Sequence, residues 1–366
     1  MTLFDQETQG SGNVARPGSA TRKVVGWFAF LAFAVAVVVG TYLPAPYVIE
    51  RPGPAFNVLG QDNGSPVITI SGAKTYDTDG ALQLLTVSVL GSPKATPTWF
   101  ELFLAWLDPA QAISPLDQIF PPNQTQDQVD SENLALFEDS TMQAGAVALR
   151  QLGYKYTKQV VVVQLQKGSP AVGVLKSGDT ILAIDGKVIG GMTQLRQVLQ
   201  SGQGKPIQLS ILRDGKTVVL DYTPKKMEGD YRLGIFGSEH FQFPLKLDLK
   251  LKDVGGPSGG LMFSLGIYDK LTPGALTGGK IIAGTGTIDE AGNVGEIGGI
   301  REKLYSASRA GASWFLSPAA NCAETVGHVP AGLTVFKVNN FQDALRSVQT
   351  IASGNGIDQL PLCESK

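Results

Sequence analysis

Residues 24–43 carry no charged side chain and lie between Arg22-Lys23 and Pro44-Ala45-Pro46. No other feature restricts the fold as strongly. A backbone that crosses hydrocarbon must satisfy its own polar groups, and in a single segment only a helix does so. At roughly 1.5 Å per residue the run spans about 30 Å, the thickness of a bilayer core. A cleaved signal peptide is the competing reading. Its apolar core usually runs about 7–15 residues, however, and no small-x-small cleavage site follows here. The run therefore reads as an uncleaved anchor. Arg16, Arg22 and Lys23 precede it and only Arg51 follows closely. That asymmetry puts the N-terminus in the cytoplasm and the bulk of the chain outside. Residues 1–23 are polar, rich in Gly and Ser and aperiodic, as a disordered tail would be.

The 366 residues suffice for this anchor and two further domains. A net charge of −2 with both signs interspersed gives no nucleic-acid footprint. Two cysteines and two histidines are too few for a zinc cluster of the usual spacing, so neither metal nor cofactor is expected. In an oxidising compartment Cys322 and Cys363 would pin the C-terminal tail by a disulfide; two unpaired thiols remain equally open. Between residues 47 and 89, Tyr47-Val48-Ile49, Val67-Ile68-Thr69-Ile70 and Leu82–Val89 read as strands. Residues 98–107, with Trp99, Phe100, Phe103 and Trp106, fit either an amphipathic helix near the membrane or a core helix. Phe120–Asp130 reads as a polar loop and Phe137–Leu152 as a helix stopped by Gly153.

Residues 156–226 form a separate unit. Gly168-Ser169-Pro170-Ala171 and Gly178-Asp179-Thr180-Ile181-Leu182-Ala183-Ile184-Asp185-Gly186 stand between short apolar strands, and Asp214-Gly215 marks a hairpin. These signatures resemble the PDZ domains of bacterial proteases. The resemblance implies capture of an extended peptide at a sheet edge, with Val161 and Val163 of the first strand and Leu195 and Leu199 of the helix at 192–199 lining the groove.

The chemistry lies further on. Pro244–Leu251 alternates apolar and charged residues as a half-buried strand does, and Gly255-Gly256-Pro257-Ser258-Gly259-Gly260 then opens a helix over residues 261–268. A serine there sits beside unpaired N–H groups and the positive helix end, where an oxyanion would be met by fixed donors. Downstream come Gly284-Thr285-Gly286-Thr287 and Gly298-Gly299-Ile300-Arg301-Glu302-Lys303. Together these segments resemble the proteolytic domain of the Lon family, whose members are Ser-Lys dyad peptidases. The resemblance implies Ser258 as nucleophile, Lys303 as general base, Thr285 as the group that orients the lysine, and Gly256, Pro257 and Gly259 as the turn that shapes the oxyanion site. Gly255 stands where that family usually has an aspartate. With an ordinary lysine pKa only about one molecule in 2,500 would carry the neutral amine at pH 7, so the role requires burial or the helix terminus to lower it.

The expected fold is α+β: one transmembrane helix at 24–43 and a Lon-type proteolytic domain in two parts, 45–155 and 228–352, around an inserted PDZ domain at 156–226. A tail at 353–366 follows. A tandem of independent pieces is the alternative. The whole resembles the membrane-anchored PDZ-Lon proteases of bacteria, which lack an ATPase module. The implied partners are protein or peptide substrates, the cell membrane and further copies of the chain, hexamers being common among Lon-type domains. No nucleotide is expected: Gly274–Ile281 nearly matches a phosphate-binding loop, but Ile281 stands where Ser or Thr should hold Mg²⁺. Two other functions stay open. One is a catalytically silent PDZ scaffold. The other is a Ser-His-Asp hydrolase using Gly256-Pro257-Ser258-Gly259-Gly260 as its elbow and His328 as base.

Overall fold

The computed structural model describes residues 19–363 apart from 123, 228 and 253, and of residues 19–23 the backbone only. The tail expected over 1–23 lies outside the described residues as far as residue 18; residues 19–23 already form the start of a helix. The chain divides into two compact units, Met1–Ile49 with Val89–Pro122, and Glu50–Ser88 with Asn123–Lys366.

In the first unit the helix Ser19–Tyr42 contains a stretch, Val24–Tyr42, of hydropathy 2.3 that is not buried at all. It is long and apolar enough to cross a membrane, a test that signal sequences also pass. A second helix, Trp99–Leu107, starts at a capping box in which the Thr98 hydroxyl accepts from the Glu101 N–H and the Glu101 carboxylate accepts from the Thr98 N–H. Its Leu102 and Ala105 close a small core with Ala45 and Ile49, flanked by Tyr47, Leu90 and Ile113.

The second unit is built on parallel strands in the spatial order Thr334–Val338, Trp314–Pro318, Ile281–Gly284 and Ala81–Leu90, with Tyr47–Asn57 beyond. Successive side chains leave a strand on opposite faces, and both faces are covered. Ile282, Leu316 and Phe336 point to a core shared with the helices Gln126–Gln151, Gly260–Leu271 and Phe341–Ser353. Ala283, Phe315 and Val335 point to a second core under the helix Ile300–Arg309. The first core joins residues from both sides of the segment 156–226, among them Leu82, Val147 and Phe263. The disulfide Cys322–Cys363 is formed, with its Cα atoms 4.9 Å apart.

Three elements differ from the sequence reading. The long helix begins at Gln126, inside the expected polar loop, because Thr125 and Gln128 form a capping box. Its first turns are solvated and therefore carry no apolar period. The strand expected over 244–251 is only Lys246–Leu249 and pairs with Ile68–Ser71 in a ribbon outside the main sheet. The sheet of the unit expected over 156–226 also extends past residue 226. Its order is Lys216–Tyr222, Ile207–Arg213, Thr180–Ile184, Thr157–Leu165 and, at the edge, Ile235–Gln242. Asp214 and Gly215 turn the hairpin with positive φ, 52° and 75°, as a two-residue I′-type loop requires.

Within this second sheet's unit, Asp179 is almost fully buried. It accepts two hydrogen bonds from Arg213, at 2.7 and 2.6 Å, and one from the Lys176 N–H at 2.7 Å. Burial alone would push its carboxyl up, but Arg213 and the Lys176 N–H hold it below the ordinary carboxylate range.

Candidate active site

Ser258 stands one residue before the N-cap of the helix Gly260–Leu271, and glycine makes its turn possible. Gly256 has φ +81°, a region L-residues rarely enter. A Cβ on Gly259 would lie 2.4 Å from Leu84 Cδ1, and one on Gly260 would lie 2.7 Å from the Ser140 hydroxyl. The turn is therefore pressed against the sheet and the long helix. It is also tied down: the Gly256 N–H donates to Asn133 O at 2.8 Å, and the Ser140 hydroxyl to Pro257 O at 2.8 Å. With Gly256 engaged and Pro257 lacking an N–H, the N–H groups left for an oxyanion are those of Ser258 and Gly259. This narrows the set expected from residues 256–259.

Lys303 lies in the first turn of the helix Ile300–Arg309, capped by Gly299 in the left-handed region. A Cβ on Gly299 would meet Val87 Cγ2 at 2.5 Å, so the helix can start this close to the sheet only with glycine there. The lysine is 3% exposed. Its Nζ donates to Thr285 Oγ1 at 3.2 Å, and that hydroxyl in turn donates to the Ser258 carbonyl at 3.0 Å. The Gly286 N–H also reaches the Ser258 carbonyl, at 2.9 Å. Thr285 thus bridges the two segments. Burial pushes the Lys303 ammonium down to about 8, against a small opposite pull from Glu302. Glu302 is itself buried, has one oxygen without a hydrogen-bond partner, and is held up mainly by burial and further by Glu50.

Ser258 and Lys303 open onto one cavity of about 460 Å³, walled by Pro54, Thr86, Val87, Val254 and Gly298. Neither His240 nor His328 lines it. Among the described residues no three His, Cys, Asp or Glu side chains gather as a metal site. Lys280, of the segment resembling a phosphate-binding loop, donates its ammonium to Ile351 O and lies over the Trp314 ring at 5.3 Å.

A second cavity, of about 620 Å³, lies between the PDZ helix Met192–Ser201 and residues 230–235. Leu195 and Leu199 line it; Val161 and Val163 do not. Their strand is paired on both sides, Val161 with Thr180 and with Ser238, so it offers no free edge to an added chain. The edge strand is Ile235–Gln242. Arg232-Leu233-Gly234 before it, and its first residue Ile235, line the cavity, and the chain turns at Gly234 with φ +72°. That apolar-Gly-apolar triplet was the available signal for this turn.

Two family models match the chain: a PDZ domain over residues 137–222 and the Lon protease (S16) C-terminal proteolytic domain over residues 251–350. The Lon protease of Buchnera aphidicola subsp. Schizaphis graminum is 35% identical over 94 residues, covering 25% of this chain and 12% of that protein. Zinc metalloprotease RasP of Geobacillus kaustophilus is 30% identical over 87 residues, covering 23% of this chain and 20% of that protein. The chain therefore spans at most a fifth of the length of these relatives. A crystal structure of the PDZ domain of an SdrC-like protein from Listeria monocytogenes matches at 23% identity and a TM-score of 0.20, covering 21% of this chain and 85% of that one.

Proposed function

We propose that this chain, which carries a PDZ domain and a Lon-type proteolytic domain behind an apolar helix, is a membrane-anchored serine endopeptidase that works without ATP. The observation that carries the reading is the shared cavity: Ser258 and a buried Lys303 face it together, with Thr285 bonded to both segments. Lys303, as the neutral amine, takes the Ser258 proton while Oγ attacks the peptide carbonyl. The Ser258 and Gly259 N–H groups receive the oxyanion. Lys303 then returns the proton to the leaving amine, and water releases the acyl group by the same route. Lys280 is engaged with Ile351 and Trp314, which argues against nucleotide binding there. The Ser-His-Asp alternative lacks support, since His328 stands away from the cavity.

The PDZ domain selects substrates at the cavity beside Leu195 and Leu199, and the anchor places both domains outside the cytoplasm. Further copies of the chain complete a homo-oligomer. The proteolytic domain is continuous in space and interrupted in sequence by the PDZ unit.

A fluorophosphonate probe tests the nucleophile. It should label Ser258 in the wild-type chain, and the label should nearly vanish in Lys303→Met. Labelling of another serine, or undiminished labelling in Lys303→Met, would refute the dyad. The pH profile is a separate expectation. A base with its pKa near 8 loses activity as pH falls, because protonation removes the free amine. The rate should fall about tenfold per pH unit below 8 and level off above it. Full activity persisting to pH 6 would rule out Lys303 as base.

A further inference from the structure

The helix Trp99–Leu107 is apolar on more than its buried side. Beyond Leu102 and Ala105, the side chains of Phe100, Phe103, Leu104 and Leu107 on the far side and of Trp99 and Trp106 at its flank are each 47–73% exposed. The helix has one charged side chain, Glu101, and its carboxylate accepts from the Thr98 N–H at 2.7 Å and the Thr98 hydroxyl at 2.9 Å. A continuous exposed apolar face on a short helix marks an interaction surface.

The position of the helix indicates what covers it. The Trp99 N–H donates to Leu43 O at 3.3 Å and the Ala45 N–H to Pro97 O at 2.8 Å, and Pro44 bridges Thr98. Leu43 directly follows the apolar helix Ser19–Tyr42, so Trp99 begins at the level where that helix ends. Tyr42 is 78% exposed there, and Tyr47 meets the Trp99 ring edge-on at 6.1 Å. Where an apolar helix leaves a bilayer, that level is the headgroup zone, which favours rings with one apolar and one polar end. A helix with an apolar aromatic face lies in the plane of such a surface.

We propose that Trp99–Leu107 is an interfacial helix that rests on the lipid bilayer with Phe100, Phe103 and Trp106 among the headgroups and upper acyl chains. The proposal rests on the reading of Ser19–Tyr42 as a membrane anchor. It gives the chain a second membrane contact beside its anchor.

The test uses the full chain in vesicles of phosphatidylcholine and phosphatidylglycerol, with Trp27→Phe and Trp314→Phe so that Trp99 and Trp106 alone report. Co-flotation with the vesicles reads the anchor, and quenching by lipids brominated at shallow chain positions reads the helix. Blue-shifted emission, strongly quenched by shallow bromines and weakly by aqueous iodide, is the expected result. Flotation with iodide quenching alone would overturn the interfacial helix while keeping the anchor. Blue-shifted emission that ignores bromolipid and fades as the protein is diluted in lipid would replace the bilayer with a second copy of the chain. Failure to float would overturn both readings.

Discussion

Ser258→Ala and Lys303→Met should each remove nearly all peptidase turnover, on the order of 10³-fold or more, and the double variant should be hardly worse than either. Neither change should unfold the protein, and the two should differ in stability. Ser258 is half-buried at a turn fixed by backbone bonds, so its hydroxyl can be removed at little cost. Lys303 is different, because its folded pKa of about 8 lies below the ordinary value of 10.5. The unfolded chain then binds more protons between these values, so the lysine lowers stability below pH 8 and the penalty fades as pH rises through 10. Met fills the same space without the buried ammonium. Lys303→Met should therefore melt at a higher temperature than the wild type at pH 7, and the gain should shrink by pH 10. Thr285→Ala should retain measurable turnover, since it orients the amine and takes no proton. Lys303→Ala retaining activity while His328→Ala abolished it would end the dyad reading.

Asp179→Ala should unfold the PDZ unit and spare the proteolytic core. The substitution leaves the Arg213 guanidinium without its bidentate partner and the Lys176 N–H without an acceptor. Only the carboxylate of this pair is deeply buried, but its loss removes three hydrogen bonds at once from a unit whose small core supplies little stability. Calorimetry should show a separate low-temperature transition that the wild type lacks, with cleavage of short unstructured peptides retained. A single transition at the wild-type temperature would count against it. The wild-type pair has a pH limit of the same origin. The Asp179 carboxyl is held below its ordinary range, so its contribution is intact above about pH 4 and is lost as pH falls through the folded value.

What was legible from sequence was what the backbone dictates locally. Gly256, Gly259 and Gly299 mark conformations or approaches that only glycine allows, and these fix where Ser258 and Lys303 stand. The helix at Ile300 was legible in the same local way, whereas Thr285 was singled out by resemblance alone. Pairing across long distances was not legible. Val161 and Val163 look like an open edge because nothing in their own strand shows that Ile235–Gln242 covers it. That covering strand, Ile-Phe-Gly-Ser-Glu-His-Phe-Gln, lacks the apolar alternation by which strands are recognised. The disulfide likewise depended on a distance between Cys322 and Cys363 that sequence does not carry.

The sheet of the proteolytic domain has a consequence for how the chain acquires its shape during synthesis. Ala81–Leu90 pairs with Ile281–Gly284, and the outer strand Thr334–Val338 is made last. The PDZ strands all lie between residues 157 and 242, so that unit can close on itself while the rest is still being made. The strand at Ala81 meanwhile waits for partners from the far end of the chain, and such non-local pairing is slow. The helix Ile300–Arg309 packs its Leu304 against Phe315 and Val335, so Lys303 is buried, and its pKa lowered toward the neutral amine that the proposed mechanism needs, only once those late strands are in place. On the proposed dyad mechanism, a nascent chain would therefore stay inert toward its neighbours, and toward itself, until the strand Thr334–Val338 has joined.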